Sequence, residues 1–248
     1  MAGHSKFKNI QFRKDRQDAI RSKLFSKFSR DITLAAKQGL PDPAANSRLR
    51  LAIANAKAES MPKENIERAI KKALGGDADT YEEIRYEGFG PGGAGLIVEV
   101  LTDNRNRAAA NIRTLFGKHG GNLGETGSVA FMFDRLGRII YPPAAMSDEA
   151  ILEASIEAGA VDVESDGRAH TVFTAFEELA QVAEALERSI GPAHTTAVVW
   201  KAKSLVPAVG DSSVGLMKLI ESLEVDDDVL NVWTNAELGD EESADGEP

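Results

Sequence analysis

Two stretches of this sequence have the residue types and spacing from which chemistry is usually built. Gly88-Phe89-Gly90-Pro91-Gly92-Gly93 satisfies the G-x-G-x-x-G pattern of a dinucleotide pyrophosphate loop, and the frame from Gly90 to Gly95 satisfies it again. Such a loop holds a pyrophosphate where it ends a strand and opens a helix, because the helix N-terminus supplies the amides. Here it runs into Leu96 to Leu101, an apolar run of strand length, so Gly88 to Gly95 reads as an unusually tight or flexible turn and not as a cofactor site. The second stretch is Asp103-Asn104-Arg105-Asn106-Arg107, which leads into a helical pattern of Ala108, Ile112, Leu115 and Phe116. Two arginines at a helix N-terminus stand where the macrodipole disfavours cations. Either Glu83, Glu87 or Asp103 neutralises them, or Arg105 and Arg107 form an anion site for a phosphate or carboxylate of a partner.

Other catalytic signals are missing. The four histidines, His4, His119, His170 and His194, show no metal-ligand spacing, and there is neither a G-x-S-x-G elbow nor a phosphate loop ending in Gly-Lys-Ser/Thr. With no cysteine there is no thiol nucleophile, thiolate metal site or disulfide. The expectation is a protein that is not an enzyme, with no catalytic residues, metal, cofactor or small-molecule substrate.

Charge carries the positive signal. Residues 1 to 74 hold 17 Lys and Arg against 7 Asp and Glu, a net of +10; residues 75 to 248 hold 12 against 32, a net of −20. A basic head that grips a polyanion beside an acidic body that repels it makes for confined, oriented contact with nucleic acid. In Lys6-Phe7-Lys8 and Phe12-Arg13-Lys14 cations flank aromatic rings, an arrangement suited to phosphate contact and base stacking, or to pinning an arm onto a helical bundle.

The elements that must position these groups follow from periodicity. Ile20, Leu24, Phe28, Ile32 and Ala35 recur at helical steps from Asp15 to Lys37, and Gly39 and Pro41 stop the helix. Arg16, Lys23, Lys27, Arg30 and Lys37 fall outside the apolar arc, as a nucleic-acid-binding ridge or as an ordinary solvated face. Asn46 to Glu59 and Lys63 to Leu74 predict two more helices, with Pro62 at the start of the last and Gly75-Gly76 at its end. Nothing in the spacing singles out a groove-reading helix.

Beyond the double glycine the period becomes strand-like. Leu96 to Leu101, the helix Ala108 to Phe116 and Ser128 to Phe133 predict strand, helix, strand. Arg138 to Tyr141, a helix capped by Ser147, two strands flanking Asp166-Gly167, a helix through Leu179 to Ile190 and a strand at Val198 to Trp200 make a complete β-α-β-β-α-β series. The first series finds its closing helix and strand only at Ser212 to Leu223 and Val229 to Thr234. The expected fold class is therefore α+β: an N-terminal three-helix domain followed by two α/β domains of ferredoxin-like (split βαβ) character, one inserted into the other. The expected domains are 1–76, a basic helical domain; 77–134 plus 205–236, a discontinuous α/β domain; 135–204, the inserted ferredoxin-like domain; and 237–248, a disordered acidic tail of six acids and no base.

The opening Met1 to Phe7, Arg48-Leu49-Arg50, Tyr86 to Gly93, Leu101 to Arg107, Gly120 to Gly124 and Gly127 to Ala130 together resemble the YebC family over nearly the whole chain. The family commonly shows Trp where this chain has Phe7 and His where it has Phe12. The resemblance implies a helical first domain and two α/β domains, one within the other. It further implies a DNA-binding transcriptional regulator of the bacterial cytoplasm, as members are usually described. Other members, among them the mitochondrial translational activator of a cytochrome c oxidase subunit, resemble ribosome-associated translation factors that ease synthesis of proline-rich stretches. The expectation is thus a cytoplasmic nucleic-acid-binding regulator acting through DNA. The alternative is a translation factor that meets ribosomal RNA and ribosomal proteins. The opening lacks an apolar signal core and no run approaches the ~20 residues of a membrane span, so no membrane partner is expected. The nucleic-acid contacts are assigned to Lys6, Lys8, Arg13, Lys14, Arg16, Lys23, Lys27, Arg30 and Lys37.

Overall fold

The structure, a computed structural model, describes the backbone of residues 3–75 and 81–238 and the side chains of 21–75 and 81–237. The chain forms two compact units, Met1–Ala78 and Asp79–Pro248.

Three helices make the first unit: α1 (Gly3–Gln38), α2 (Ser47–Ala58) and α3 (Lys63–Leu74). The expected arm is in fact part of α1, which begins at Gly3 instead of Asp15. No Pro and no further Gly interrupts the chain before Gly39, and its Lys, Arg and Gln are good helix formers. The core is built from Ile32, Leu49, Ile53, Met61 and Ile66 around five alanines, Ala35, Ala36, Ala52, Ala56 and Ala69, whose small side chains let the helices approach closely. Buried Asn46 ties the unit together. Its Oδ1 accepts from Leu49 N at 3.0 Å as the cap of α2, while its Nδ2 donates to Ala35 O and Leu40 O at 2.8 Å each, closing off the end of α1. Gly75 ends α3 in an extended conformation, φ −79, without the left-handed turn of a glycine cap; Gly76 lies outside the described residues.

The second unit contains two antiparallel four-stranded sheets. The first has the order β3-β1-β2-β9, from β1 (Glu82–Phe89), β2 (Gly95–Thr102), β3 (Asn122–Leu123) and β9 (Val229–Thr234). The helices α4 (Arg105–Lys118) and α7 (Asp211–Val225) cover one face, burying Leu96, Val98 and Val100 against Ile112, Phe116, Leu216, Leu219 and Leu223. The second sheet has the order β5-β6-β4-β7, from β4 (Phe133–Tyr141), β5 (Asp162–Ser165), β6 (His170–Ala175) and β7 (Thr195–Ala202), joined through α5 (Asp148–Ala158) and α6 (Leu179–Ser189). That is the split βαβ order. A short parallel pair, β8 (Val206–Ala208) with β10 (Ala236–Leu238), flanks α7.

Local expectations fail at three points, and the glycine motif is the turn expected of it. The segment Glu82–Phe89, with no strand expected, pairs with β2 along its whole length. The glycine motif is the turn of that hairpin: Gly92 and Gly93 take positive φ, and Gly90 N donates to Ala94 O. It joins strand to strand, so no helix N-terminus opens behind it. Of the segment Ser128–Phe133, expected as a strand, only Phe133 is in one, at the start of β4; the rest is a turn and a short 3-10 helix, because the buried Glu87 carboxylate accepts from Val129 N and Ala130 N at 2.9 Å each and removes those donors from any ladder. Finally, Glu237, expected at the start of the tail, lies in β10; Gly239 to Pro248 lie outside the described residues.

Candidate nucleic-acid interface

Of the nine cations assigned to nucleic acid, the side chains of Lys6, Lys8, Arg13, Lys14 and Arg16 lie outside the described residues. Lys37 is exposed. Lys23, Lys27 and Arg30, expected in the open, are half-buried, and none of these four is free of interactions. The reason is that α1 packs against both α2 and α3, so its buried arc is wider than one apolar stripe predicts. The four consecutive residues Thr33, Leu34, Ala35 and Ala36 are all buried, and Thr33 Oγ1 donates to Ala69 O at 3.0 Å.

The structure opens other cations that periodicity does not nominate. Arg21, Arg50, Lys57, Arg68 and Lys71 are exposed, and none is paired with a carboxylate among the described residues. Arg50 and Lys57 are seven residues apart, hence on one face of α2, flanking the buried Leu49, Ala52, Ile53 and Ala56. Arg68 and Lys71 are three apart on α3, away from Ile66 and Ala69, and Lys71 stands in the last turn, where a cation suits the macrodipole. Lys63, by contrast, meets Glu67 at 3.5 Å. The signal that finds these residues is the helix register of α2 and α3, which puts them outside each apolar stripe; Arg48, outside it as well, meets Asp31 at 3.7 Å.

The arginine pair at α4 divides. Asn104 caps the helix, accepting from Arg107 N at 3.0 Å. The Arg107 guanidinium donates through Nη2 to Asp103 at 2.8 Å and to Asp228 at 2.9 Å, and through Nε to Asp228 at 3.2 Å. Asp228 is buried and also accepts from Thr102 Oγ1 at 3.1 Å. These bonds hold the Arg107 pKa above its ordinary value, Asp228 first and Asp103 second. Arg107 therefore clamps the start of α4 to the loop before β9, with one of the sequence-nominated acids and one far off in sequence. Arg105 remains exposed beside Tyr86, whose hydroxyl donates to the Arg105 carbonyl at 3.5 Å. Replacing Arg107 by Ala removes its hydrogen bonds to the buried Asp228 and to Asp103, so the melting temperature is expected to fall clearly below the parent's while Arg105→Ala melts with the parent, as scanning calorimetry of the two variants would record.

The described histidines are occupied or dispersed: His119 Nε2 lies 3.0 Å from Ser222 Oγ, His170 Nδ1 lies 2.8 Å from Ser165 Oγ, and His194 is exposed. Among the described residues no group of three or more His, Asp or Glu side chains is placed to hold a metal ion, and no helix is long and apolar enough to cross a membrane.

Known proteins resemble the chain from end to end. The family model for the TACO1/YebC protein N-terminal domain matches residues 5–76, and that for the TACO1/YebC second and third domain matches residues 81–236. Among solved structures, the crystal structure of a conserved hypothetical protein, Aq1575 of Aquifex aeolicus, superposes with a TM-score of 0.83 at 43% sequence identity, over 91% of this chain and 94% of that one.

Proposed function

The chain belongs to the TACO1/YebC family, and from its charge layout we propose that it is a cytoplasmic nucleic-acid-binding regulator of gene expression. The observation that carries this reading is the basic helical unit, net +10 over residues 1 to 74 against −20 for the rest, with Arg50 and Lys57 on α2 and Arg68 and Lys71 on α3 exposed and paired with no carboxylate among the described residues. In the first reading the polyanion is DNA and the mode is transcriptional control. The phosphate contacts are the cations of α1 together with Arg50, Lys57, Arg68 and Lys71, and the work is divided among the domains 1–76, 77–134 with 205–236, and 135–204.

A second reading, an RNA- and ribosome-associated translation factor, is favoured by the acidic unit. A body of net −20 is repelled along a long duplex but complements the basic proteins that accompany ribosomal RNA. The helix α5 illustrates it, with Asp148, Glu149, Glu153 and Glu157 and no cation.

Sedimentation of the full-length protein through a sucrose cushion with cell extract tests both. Pelleting with ribosomes that survives DNase and is lost with RNase selects translation. Capture by a promoter fragment, lost with DNase, selects transcription. A protein that stays in the supernatant under all conditions, and binds neither nucleic acid at low salt, removes the reading altogether.

A further inference from the structure

Where the two sheets of the second unit meet, Ile97, Val129, Phe133 and Trp200 form a small core with Trp233 against it. Polar groups in this seam are paired almost throughout. Trp200 Nε1 donates to Glu99 Oε1 at 2.9 Å, Asn231 Nδ2 donates to Glu99 Oε2 at 3.0 Å, and Arg85 lies over the Trp200 ring at 4.9 Å with its Nε 3.1 Å from Glu87. Arg85 Nε and Glu87 Oε1 face each other as an ion pair without a hydrogen bond, whereas two further donors have no charged partner either. Arg138 Nε and Trp233 Nε1 are both buried with no acceptor.

They belong to neighbouring side chains: the Arg138 guanidinium lies over the Trp233 ring, 5.9 Å from its centroid. No carboxylate among the described residues pairs with Arg138, although this half of the chain carries a large excess of acids. The residues opposite Arg138 in the sheet, Phe173 and Ala197, and the residue opposite Trp233, Ile97, bring no side-chain acceptor. The Nη end of Arg138 is not among the buried atoms and opens to solvent, while burial of the rest lowers the tendency of the guanidinium to hold its charge. Buried N–H groups normally find an acceptor, the Nε of a half-buried guanidinium and an indole N–H alike. A single group that accepts from both nitrogens would satisfy the two at once. The guanidinium fork matches two oxygens of one oxyanion, and the indole supplies a further donor of the same polarity.

We propose that the place where Arg138 meets Trp233 is an oxyanion-binding site, entered from the open Nη end of the guanidinium, which takes one phosphate or carboxylate group of a ligand at the seam between the two sheets. The site is independent of the basic helical unit: it lies in the acidic unit, whose net charge of −20 repels a long polyanion more than a single anionic group.

The chain has only two tryptophans, Trp200 and Trp233, so the indole N–H signals of 15N-labelled full-length protein are assigned by Trp200→Phe. Titration with inorganic phosphate is expected to move the Trp233 signal saturably, with sodium chloride at matched ionic strength leaving it in place. Acetate in a parallel titration separates the sources: saturation by phosphate alone assigns a phosphate ligand, and by acetate alone a carboxylate. In Arg138→Met the response is expected to weaken about tenfold or more, the effect of losing a charged donor pair. Trp233→Phe keeps the ring and removes the donor. Its thermal stabilisation by phosphate is expected to be smaller than the parent's, which keeps the test open if Arg138→Met does not fold. No saturable shift with either anion, an equal shift with chloride, or an unchanged response in both variants overturns the proposal and assigns the two donors to water.

Discussion

Replacing Glu87 by Ala is expected to lower the stability of the acidic unit by about 2–5 kcal/mol, since each buried donor left without its acceptor costs about 1–3 kcal/mol and two amides lose theirs. With small domains stable by only about 5–15 kcal/mol, that is a large share of the total. The Glu87 side chain is fully buried, yet it is supplied with donors from two directions. Its Oε2 accepts from Val129 N and Ala130 N, each at 2.9 Å, and its Oε1 lies 3.1 Å from Arg85 Nε. The Arg85 contact brings the charges together without the alignment of a hydrogen bond, and the two atoms remain without one. Alanine would leave two amides without an acceptor and the half-buried Arg85 without its counter-ion at once. Gln keeps an acceptor but not the charge, so Glu87→Gln should cost about 1–3 kcal/mol, less than Ala. Urea unfolding of both variants measures the difference. An Ala variant within about 1 kcal/mol of the parent would show that water replaces the carboxylate in the 127–130 turn.

The same residue predicts a pH dependence. Burial pushes the Glu87 carboxyl up, but the amides of Val129, Gly127 and Ala130 and the charge of Arg85 outweigh it and hold the group below its ordinary 4.5. A carboxyl whose folded value is depressed binds its proton more weakly in the folded than in the unfolded chain. Its contribution is therefore complete above pH 4.5 and is lost as the pH falls through the lower folded value. The parent should lose stability through that acid window more steeply than Glu87→Gln, and the two curves should run parallel above it.

Glu87 also marks where sequence reasoning stops. The helix α3 and the strand β9 have the limits that periodicity predicts, Lys63 to Leu74 and Val229 to Thr234, because each is one amphipathic segment between clear breakers. The order of β4 to β7 follows for the same reason. The apolar run Ser128 to Phe133 has the composition of a strand, and only a carboxylate some forty residues earlier makes most of it a turn. β1 escapes notice because Glu82 and Glu83 are exposed at its start and Gly88 leaves a gap that the Phe116 ring fills; a Cβ there would stand 2.6 Å from that ring. At α4 the cap and the two arginines are legible, yet the acid that claims Arg107 lies 121 residues on. On α1 the apolar arc is correctly centred but too narrow, since a single helix's pattern cannot report that two neighbours cover it. Charge segregation survives all of this, because it depends on composition and not on register.

That segregation makes the second large effect calculable. Replacing Arg50, Lys57, Arg68 and Lys71 together by Gln in the full-length protein is expected to weaken binding to a nucleic-acid oligomer by about two orders of magnitude at low salt. All four are exposed, so the fold and its melting temperature should stay within the small range typical of surface changes. The diagnostic quantity is the salt slope. Each neutralised phosphate contributes about 0.9 to the slope of log affinity against log salt on duplex DNA and about 0.7 on a single strand. Four lost contacts should therefore flatten it by about 3.6 or about 2.8 respectively. Fluorescence anisotropy with a labelled duplex and a labelled RNA, each over a salt series, reads the slope directly and shows which polymer the unit prefers. Lys23, Lys27 and Arg30 behave differently: they are half-buried and engaged, so their replacement by Ala should reduce affinity and stability together. If the quadruple variant binds with the parent's affinity and slope while the α1 triple variant does not, the contact surface is α1 alone. If neither variant loses affinity, the basic unit is not the polyanion grip, and its charge serves some other partner.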